Sequence, residues 1–353
     1  MSKRPRPSSV QRATMHDVAR AAGVSPSTVS NVVNDRLSVV REETRARVER
    51  AVKDLRYRPQ ATARGLRSSR DWMIGLLVID DSPTFLADPF ITHVVAGLSN
   101  HLGSHGYGFL LQGSQANRIE DTVFVRDART DALCVLSSGS QKERHRIYGR
   151  LAELNEPMVL LMDPSWGQAD DCCIVRQDDR GGASAIGRHL LECGARHIVF
   201  LAPELEWASA TQRVRGLREA VRRHDKNSEI ALVHAKGANF AGAQAGLAEY
   251  LSANEMPDAV VAANDQFGIA AMRLLEDRGV DVPEEVMITG FNGFEFWQYT
   301  RPVLTTVRSA AYDIGVKSAE VLIERLSLGR FSKSEIVLPV TLQEGGSTRL
   351  VRR

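Results

Sequence analysis

The sequence predicts an all-α head followed by a larger α/β core. Apolar residues recur with helical spacing in the first 58 residues, and from Trp72 onward short apolar runs alternate with amphipathic segments. A chain of 353 residues is also long enough for two or three domains. The distribution of charge separates the same two parts of the chain.

Positive charge is concentrated at the N-terminal end. Residues 1–71 contain 16 Lys and Arg against 7 Asp and Glu, so this part carries +9. Because the whole chain carries only +2, the remainder carries −7. A basic head on a mildly acidic body predicts that the head meets a polyanion and that the body does not.

Residues 14–34, TMHDVARAAGVSPSTVSNVVN, predict two short helices joined by a tight turn. Thr14 occupies an N-cap position, and Gly23 has the conformational freedom to end the first helix. Ser25 is placed to cap the second helix, with Pro26 in its first turn. A third helix is predicted after residue 41, so that the three can share one small core.

The second helix is expected to turn Val29, Val32 and Val33 inward. Its outer face then carries only small hydrogen-bonding side chains, which suits a helix that lies in a DNA major groove. These outward residues are Ser27, Ser30, Asn31 and Asn34. The same spacing also fits an ordinary helical hairpin on a protein surface.

The core is predicted to contain parallel sheets flanked by helices. Eight apolar runs, the first at 73–79 and the last at 286–291, alternate with helical segments, and this number favours two lobes. The predicted divisions are a disordered basic arm at 1–13, the helical head at 14–58, a hinge helix or linker at 59–71 and the core at 72–349. Within the core, lobe 1 is expected at about 72–176 and 308–335, and lobe 2 at about 177–307 and 336–349.

The hinge segment has two interpretations. Residues 58–70 contain four arginines and one large apolar residue, Leu66. The segment is either a flexible linker or a helix that folds only on DNA, with Leu66 inserted between base pairs.

The sequence indicates no resident metal or cofactor. The four cysteines form no CxxC pair, and the nine histidines show no metal-ligand spacing. The basic N-terminus leads into no apolar signal region, and no apolar run approaches the ~18–20 residues that span a bilayer. We therefore expect a cytoplasmic protein with no membrane association.

Motifs in both parts of the chain resemble the LacI/GalR family of bacterial transcriptional regulators. The head matches T-x-x-D-V-A-x-x-A-G-V-S-x-x-T-V-S-x-V-x-N, and DPF, QDDRGGA, QRVRG, ANDQ, GFNGFE and LTTVR follow in the family's order. The resemblance implies a helix-turn-helix head, a hinge helix and a two-lobed core like periplasmic binding proteins. It also implies a homodimer on a near-palindromic DNA operator.

The resemblance assigns roles residue by residue. The positions that meet base edges are Pro26, Ser27, Ser30 and Asn31, and those that hold phosphates are Thr14, Thr28, Ser30 and Asn34. Leu66, with Ala63 beside it, occupies the position of a minor-groove wedge. The usual ligand-contacting positions hold Asp178, Arg213, Phe240, Asp265 and Asn292, and candidates from the other lobe are Phe90, Asp163 and Trp166.

The chain departs from the family pattern in three places. Pro26, Ser27 and Asn31 replace larger base-reading residues of some members, so we expect sparse direct base readout and a larger share of shape readout. Arg41 stands where the third helix usually has a capping Ser or Thr.

Asn292 stands where many members have Asp, which removes a negative charge from the expected ligand site. Because Arg213 can bind a carboxylate bidentately, this favours a sugar-like ligand with a negative charge, such as a sugar acid. The alternative is a neutral sugar for which Asn292 exchanges one hydroxyl contact for another.

These features predict a ligand-responsive regulator that represses a carbohydrate-utilisation operon. An activator or dual regulator that responds to a nucleoside or another small metabolite is the alternative within the same class. An enzyme on the α/β core is a second class, but the sequence contains no GxSxG, HExxH or Walker A motif and no intact GxGxxG after a strand. A secreted solute-binding protein is a third, and the basic head argues against it.

Overall fold

The computed structural model describes residues 13–33, 40–57, 71–127, 130–167, 171–224 and 229–349. The chain divides into two compact units, residues 1–71 and residues 72–353. Asn34, Ala63 and Leu66 lie outside the described residues, as do the predicted arm up to residue 12 and the hinge segment 58–70. No helix within the described ranges is long and apolar enough to cross a membrane.

The N-terminal unit contains three helices, α1 Met15–Ala22, α2 Pro26–Val33 and α3 Glu42–Asp54. They pack around a small core centred on Val18, Val29 and Val48, each 0% exposed. Arg41 precedes α3 and makes no side-chain capping bond. The prediction of three helices around one small core is confirmed.

The predicted caps of α1 and α2 are present. The Thr14 hydroxyl accepts from the N–H of Asp17 at 3.3 Å, and the Asp17 carboxylate accepts from the N–H of Thr14 at 2.9 Å. The Thr14 hydroxyl also donates to the Asp17 carboxylate at 2.6 Å, and this bond, together with the one from the Thr14 N–H, lowers the pKa of Asp17. The Ser25 hydroxyl accepts from the N–H of Thr28 at 3.2 Å, and Gly23 ends α1 with a left-handed φ of 64°. Both helices therefore begin, and α1 also ends, where local side-chain chemistry predicts.

The core alternates strands and helices. Its strands are β1 Met73–Ile79, β2 Gly108–Ser114, β3 Ala132–Ser137, β4 Met158–Leu161, β5 Cys172–Gln177, β6 His197–Ala202, β7 Glu229–His234, β8 Ala259–Ala262, β9 Met287–Thr289, β10 Thr306–Arg308, β11 Glu335–Leu338 and β12 Thr341–Gln343. Its helices are α4 Pro89–Ser104, α5 Val123–Arg126, α6 Gln141–Ala152, α7 Asp179–Glu192, α8 Ala208–His224, α9 Phe240–Ala253, α10 Asp265–Asp277 and α11 Ala311–Leu328. Short 3₁₀ helices lie at Phe85–Ala87, Ile119–Asp121 and Glu295–Tyr299.

Each of the eight predicted strands overlaps an observed strand. The four strands that were not predicted, β5, β10, β11 and β12, are short or contain several polar residues, so their apolar signal is weak. They matter for the architecture because all four lie next to the connections between the lobes.

The core has two lobes, each built on a parallel sheet. The sheet of the first lobe has the order β11-β5-β4-β3-β1-β2, and the sheet of the second lobe has the order β7-β6-β8-β9. Strands β10 and β12 form a separate antiparallel pair. Buried apolar residues of the sheets and helices fill a core in each lobe, so the predicted fold of parallel sheets flanked by helices is confirmed.

The chain crosses between the lobes three times: after β5, after β10 and after β11. The third crossing follows Leu338, because β11 pairs with β5 along its whole length. The predicted boundary at residue 336 is therefore wrong, since it assigned most of β11 to the second lobe. The N–H of Asp178 donates to the carbonyl oxygen of Leu338 at 2.9 Å, which joins the first and third crossings.

Helices α4 and α11 pack closely in the first lobe because glycines lie at their contact. A Cβ atom at Gly97 would overlap the carbonyl oxygen of Tyr312, and one at Gly315 would overlap that of Val94. Close approach of the two backbones therefore depends on the absence of side chains at these positions.

We predict that Gly97→Ala lowers the free energy of unfolding of the full chain by about 1–3 kcal/mol, because the added methyl forces α4 and α11 apart. Urea unfolding followed by tryptophan fluorescence measures the change. Gly103→Ala is the matched control on the same helix, since its Cβ would meet no atom within 4 Å. The control should be neutral or slightly stabilising, and equal losses in the two variants would contradict the packing argument.

Candidate functional site

The exposed face of α2 is narrower than predicted. Ser27 is exposed and Asn31 is half-buried, but Ser30 is only 5% exposed. The prediction that Ser30 points outward is wrong, because at about 100° per residue Ser30 lies only about 60° from Val33, at the edge of the inward side of the helix. The other predicted DNA contacts among the described residues are Thr14, which is exposed, and Pro26 and Thr28, which are half-buried.

A cavity of about 880 Å³ lies between the two lobes of the core. Polar residues that line it follow the carboxyl ends of strands: Asp80 after β1, Ser138 after β3, Asn264 after β8 and Asn292 after β9. Aromatic residues that line it are Phe85, Phe90, Trp207, Phe240 and Phe296. A concave site at this edge of two parallel sheets, with aromatic faces and several polar groups, has the properties of a small-molecule site.

Arg213 reaches the cavity from α8 and is 3% exposed. Its Nε and Nη2 atoms lie 2.9 and 2.8 Å from Asp179 Oδ1, and its Nη1 donates to the carbonyl oxygen of Ala263. The guanidinium also lies 3.7 Å above the centre of the Phe291 ring. Burial raises the pKa of Asp179, and the charge of Arg213 opposes that shift. The charge of Arg213 is therefore balanced within the protein.

Four carboxylates line the cavity: Asp80, Asp81, Asp88 and Glu204. Asp88 caps α4 through Oδ1, which accepts from the N–H of Phe90 at 2.8 Å, whereas no described residue donates to its Oδ2. Burial raises the pKa of Asp88, and the nearby charge of Asp80 raises it further. The rim of the first lobe is therefore acidic.

Asn292 has an unsatisfied acceptor. It is 7% exposed, has a φ of 114°, and its backbone N–H donates to Val307 at 2.9 Å. Its side-chain Oδ1 is buried and has no hydrogen-bond partner among the described residues. Because an unpaired buried acceptor is costly, a ligand that donates to Oδ1 would gain from this position.

Comparison with known proteins identifies the family. Residues 14–60 match the bacterial regulatory proteins of the lacI family, and residues 188–348 match a periplasmic binding protein-like domain. The transcriptional repressor PurR of Aliivibrio fischeri (strain ATCC 700601 / ES114) is 30% identical over 323 residues, which are 89% of this chain and 92% of that protein. This chain belongs to the lacI family.

Two further comparisons cover almost the whole of this lacI-family chain. The ribose operon repressor of Escherichia coli (strain K12) is 28% identical over 340 residues, which are 95% of this chain and 99% of that protein. The Lac repressor dimer bound to operator and the anti-inducer ONPF superposes with a TM-score of 0.84 at 25% identity, covering 96% of this chain and 99% of that one. The protein is thus a DNA-binding transcriptional regulator that responds to a ligand.

Half of the ligand-binding residues predicted for this lacI-family regulator line the cavity. These are Arg213, Phe240 and Asn292 from the second lobe and Phe90 from the first. Phe240 is 42% exposed at the start of α9, so its ring is available to a ligand.

Two predicted residues of the second lobe lie beside the cavity. Asp178 caps α7 by accepting from the N–H of Gly181 at 2.9 Å, and it is the following residue, Asp179, that pairs with Arg213. Asp265 is 1% exposed and turns into the protein, where it accepts from the N–H of Gly293 at 2.7 Å. Helix geometry explains both corrections, because neighbouring residues in a first turn point in directions about 100° apart.

The other two candidates of the first lobe, Asp163 and Trp166, contact residues of the protein itself. Asp163 is paired with Arg144 at 2.7 Å and accepts from the hydroxyl of Tyr148 at 3.1 Å. Trp166 packs edge-on against Tyr148 and His145. Neither residue lines the cavity, so their predicted contact with the ligand is corrected.

The sequence analysis missed the acidic residues of the cavity. Asp80 directly follows a strong apolar strand, and Asp88 precedes Pro89 at the start of α4. Asp80 could have been found from the sequence by considering every loop that follows a predicted strand. Four carboxylates line the cavity, and the guanidinium of Arg213 is already paired with Asp179. Both observations argue against the expectation that Arg213 binds the carboxylate of an anionic ligand.

We predict that Asp163→Ala lowers the free energy of unfolding by about 3–5 kcal/mol, because it removes the nearest counter-charge of the buried Arg144 and leaves only the Glu206 carboxylate at 3.4 Å. Both side chains are at most 3% exposed. Denaturant unfolding of the full chain measures the change. Asp121→Ala breaks the exposed pair with Arg118 and should cost about 0–1 kcal/mol. Losses of similar size in the two variants would argue against a structural role for Asp163.

Asp265 is expected to make stability depend on pH. Burial raises the pKa of its carboxyl from 3.8 to about 7, although Thr306 and Gly293 donate to it. Between those values the folded chain holds a proton that the unfolded chain has released, so the contribution of Asp265 to stability falls as the pH rises from about 4 to about 7.

Thermal unfolding of wild type and Asp265→Asn across this pH range tests the prediction. Asp265→Asn should become more stable relative to wild type as the pH rises, because its amide does not titrate. Asp277→Asn, at an exposed position, serves as the control. A difference that stays constant over the range would contradict the prediction.

Proposed function

We propose that this regulator is a cytoplasmic repressor of a carbohydrate-utilisation operon, and that it binds a near-palindromic operator as a homodimer. The observation that carries the proposal is the aromatic and polar cavity between the lobes. Its size suits a sugar-sized ligand, and its aromatic faces suit a sugar ring. The similarity to a ribose operon repressor supports the carbohydrate class.

The crossings between the lobes provide a means of response. A ligand that contacts both lobes favours the relative position of the lobes in which all of its contacts are made. The ligand can change operator binding only as far as its affinities for the two positions of the lobes differ. Phe90 from the first lobe and Arg213 and Asn292 from the second all line the cavity, so one ligand can contact both lobes.

The helical head is proposed to read DNA through the exposed part of α2. Ser27 is exposed and Asn31 is half-buried, and both are short hydrogen-bonding side chains. Asn can pair bidentately with adenine in the major groove. The similarity to an operator-bound Lac repressor dimer supports both the DNA contact and the dimer.

Selection of bound fragments from genomic DNA by the full chain tests this function. We expect a short, near-palindromic sequence, and Asn31→Ala should weaken binding to it by about ten- to a hundredfold while binding to random DNA changes little. Asn254→Ala, in the core, is the matched control and should bind as wild type. Recovery of no preferred sequence would overturn the proposal, and equal losses on both DNAs would overturn the role of Asn31.

A further inference from the structure

We propose that the effector of this regulator is a polyhydroxylated molecule that carries a positive charge, such as an amino sugar. The inference deepens the proposed function and rests on it, since it names the chemical class that fills the cavity between the lobes.

The first argument is the charge balance of the lining. Among the described residues, four carboxylates and one guanidinium line the cavity. The guanidinium belongs to Arg213, and Asp179 behind it already holds an oxygen within 2.9 Å of two of its nitrogens. The lining of the cavity therefore contains more negative than positive groups, which favours a cationic ligand.

The second argument concerns open hydrogen-bond acceptors. Asp88 from the first lobe and Asn292 from the second both line the main cavity, and both also border a recess at its side that is too small for a water molecule. No described residue donates to Asp88 Oδ2, and Asn292 Oδ1 is buried without a partner in the described part of the chain. An amide oxygen and an oxygen of an ionised carboxylate only accept, so this side of the main cavity calls for a donor, and an ammonium group offers three.

The third argument is the aromatic surface around these acceptors. Phe296 lines both the recess and the main cavity, and Phe90 and Phe240 line the main cavity. Aromatic faces attract cations and also pack against the C–H face of a sugar ring. The lining thus accommodates both the charge and the carbon skeleton of an amino sugar.

The carboxylates of the cavity also explain the Asn at position 292 without an anionic ligand. An Asp at this position would add a fifth carboxylate to a crowded acidic site, whereas Asn supplies an acceptor without further repulsion. The negative charge that the ligand meets comes instead from Asp88 on the opposite lobe.

Calorimetry of the full chain with matched sugars tests the proposal. The set contains glucose, glucosamine and glucuronate, with the corresponding galactose and mannose triplets. We expect at least one amino sugar to bind about tenfold or more tightly than its neutral and acidic counterparts. A tighter neutral sugar or acid, or no binding by any of the three amino sugars, would overturn the proposal.

Two variants and a control test whether the preference for an amino sugar depends on Asp88 and Asn292. Asp88→Asn keeps a residue that can cap α4 but removes the charge, and should reduce the preference for the amino sugar by about tenfold. Asn292→Asp adds a charge and should increase that preference. Asp277→Asn changes the net charge equally at an exposed position away from the cavity, and should leave the preference unchanged. A preference that survives Asp88→Asn unchanged would overturn the assignment.

Operator binding by the same preparations separates the two proposals. If the chain binds its selected operator and a neutral or acidic sugar changes that binding, the proposed function stands and the inference about charge fails. If an amino sugar binds but no DNA sequence is preferred, the proposed function fails and the ligand site remains.

Discussion

The buried contact between Asp179 and Arg213 connects the ligand cavity to the crossings between the lobes. Asp179 Oδ1 accepts from Arg213 and also from the side chain of Gln177, at 3.1 Å. Gln177 in turn accepts from the Ser309 hydroxyl at 2.7 Å and from the N–H of Ala310 at 3.0 Å. Buried polar networks are stable only when their members are satisfied, so these groups fix one another's positions. The side chain that faces the cavity is thus held by the first two crossings.

The opposite side of the cavity has its own contact between lobes. The N–H of Gly139 donates to the carbonyl oxygen of Glu206 at 2.8 Å, and Arg144 lies 3.4 Å from the Glu206 carboxylate. Arg144 can make this contact because Asp163 balances its buried charge. The cavity is therefore bounded by the crossings on one side and by a few polar contacts on the other. A ligand that contacts both lobes can change the polar contacts of Gly139 and Arg144 with Glu206, whereas the covalent connections between the lobes persist.

Electrostatics divides the cavity between the lobes. The second lobe presents a guanidinium whose charge is already balanced and an amide with a free acceptor, while the first lobe presents Asp80 and Asp88. Burial and the charge of Asp80 raise the pKa of Asp88, although the N–H of Phe90 and the charge of Arg213 favour its ionised form. Selectivity for the charge of a ligand would then arise where the two lobes meet, and it would be coupled to their relative position.

The sequence by itself determined the helices of the head, their caps and the alternation of strands and helices, because these follow from local periodicity and from side chains that bond to neighbouring backbone. The family motifs also pointed to four residues that line one cavity, Arg213, Phe240, Asn292 and Phe90. Tertiary structure alone decided that Asp179 rather than Asp178 pairs with Arg213, and that Asp163 balances Arg144. These contacts join residues far apart in the chain. They also depend on the side chains of neighbouring helix residues, which point in directions about 100° apart. The charge that a ligand meets in the cavity is the sum of such distant contacts, so no single motif could reveal it.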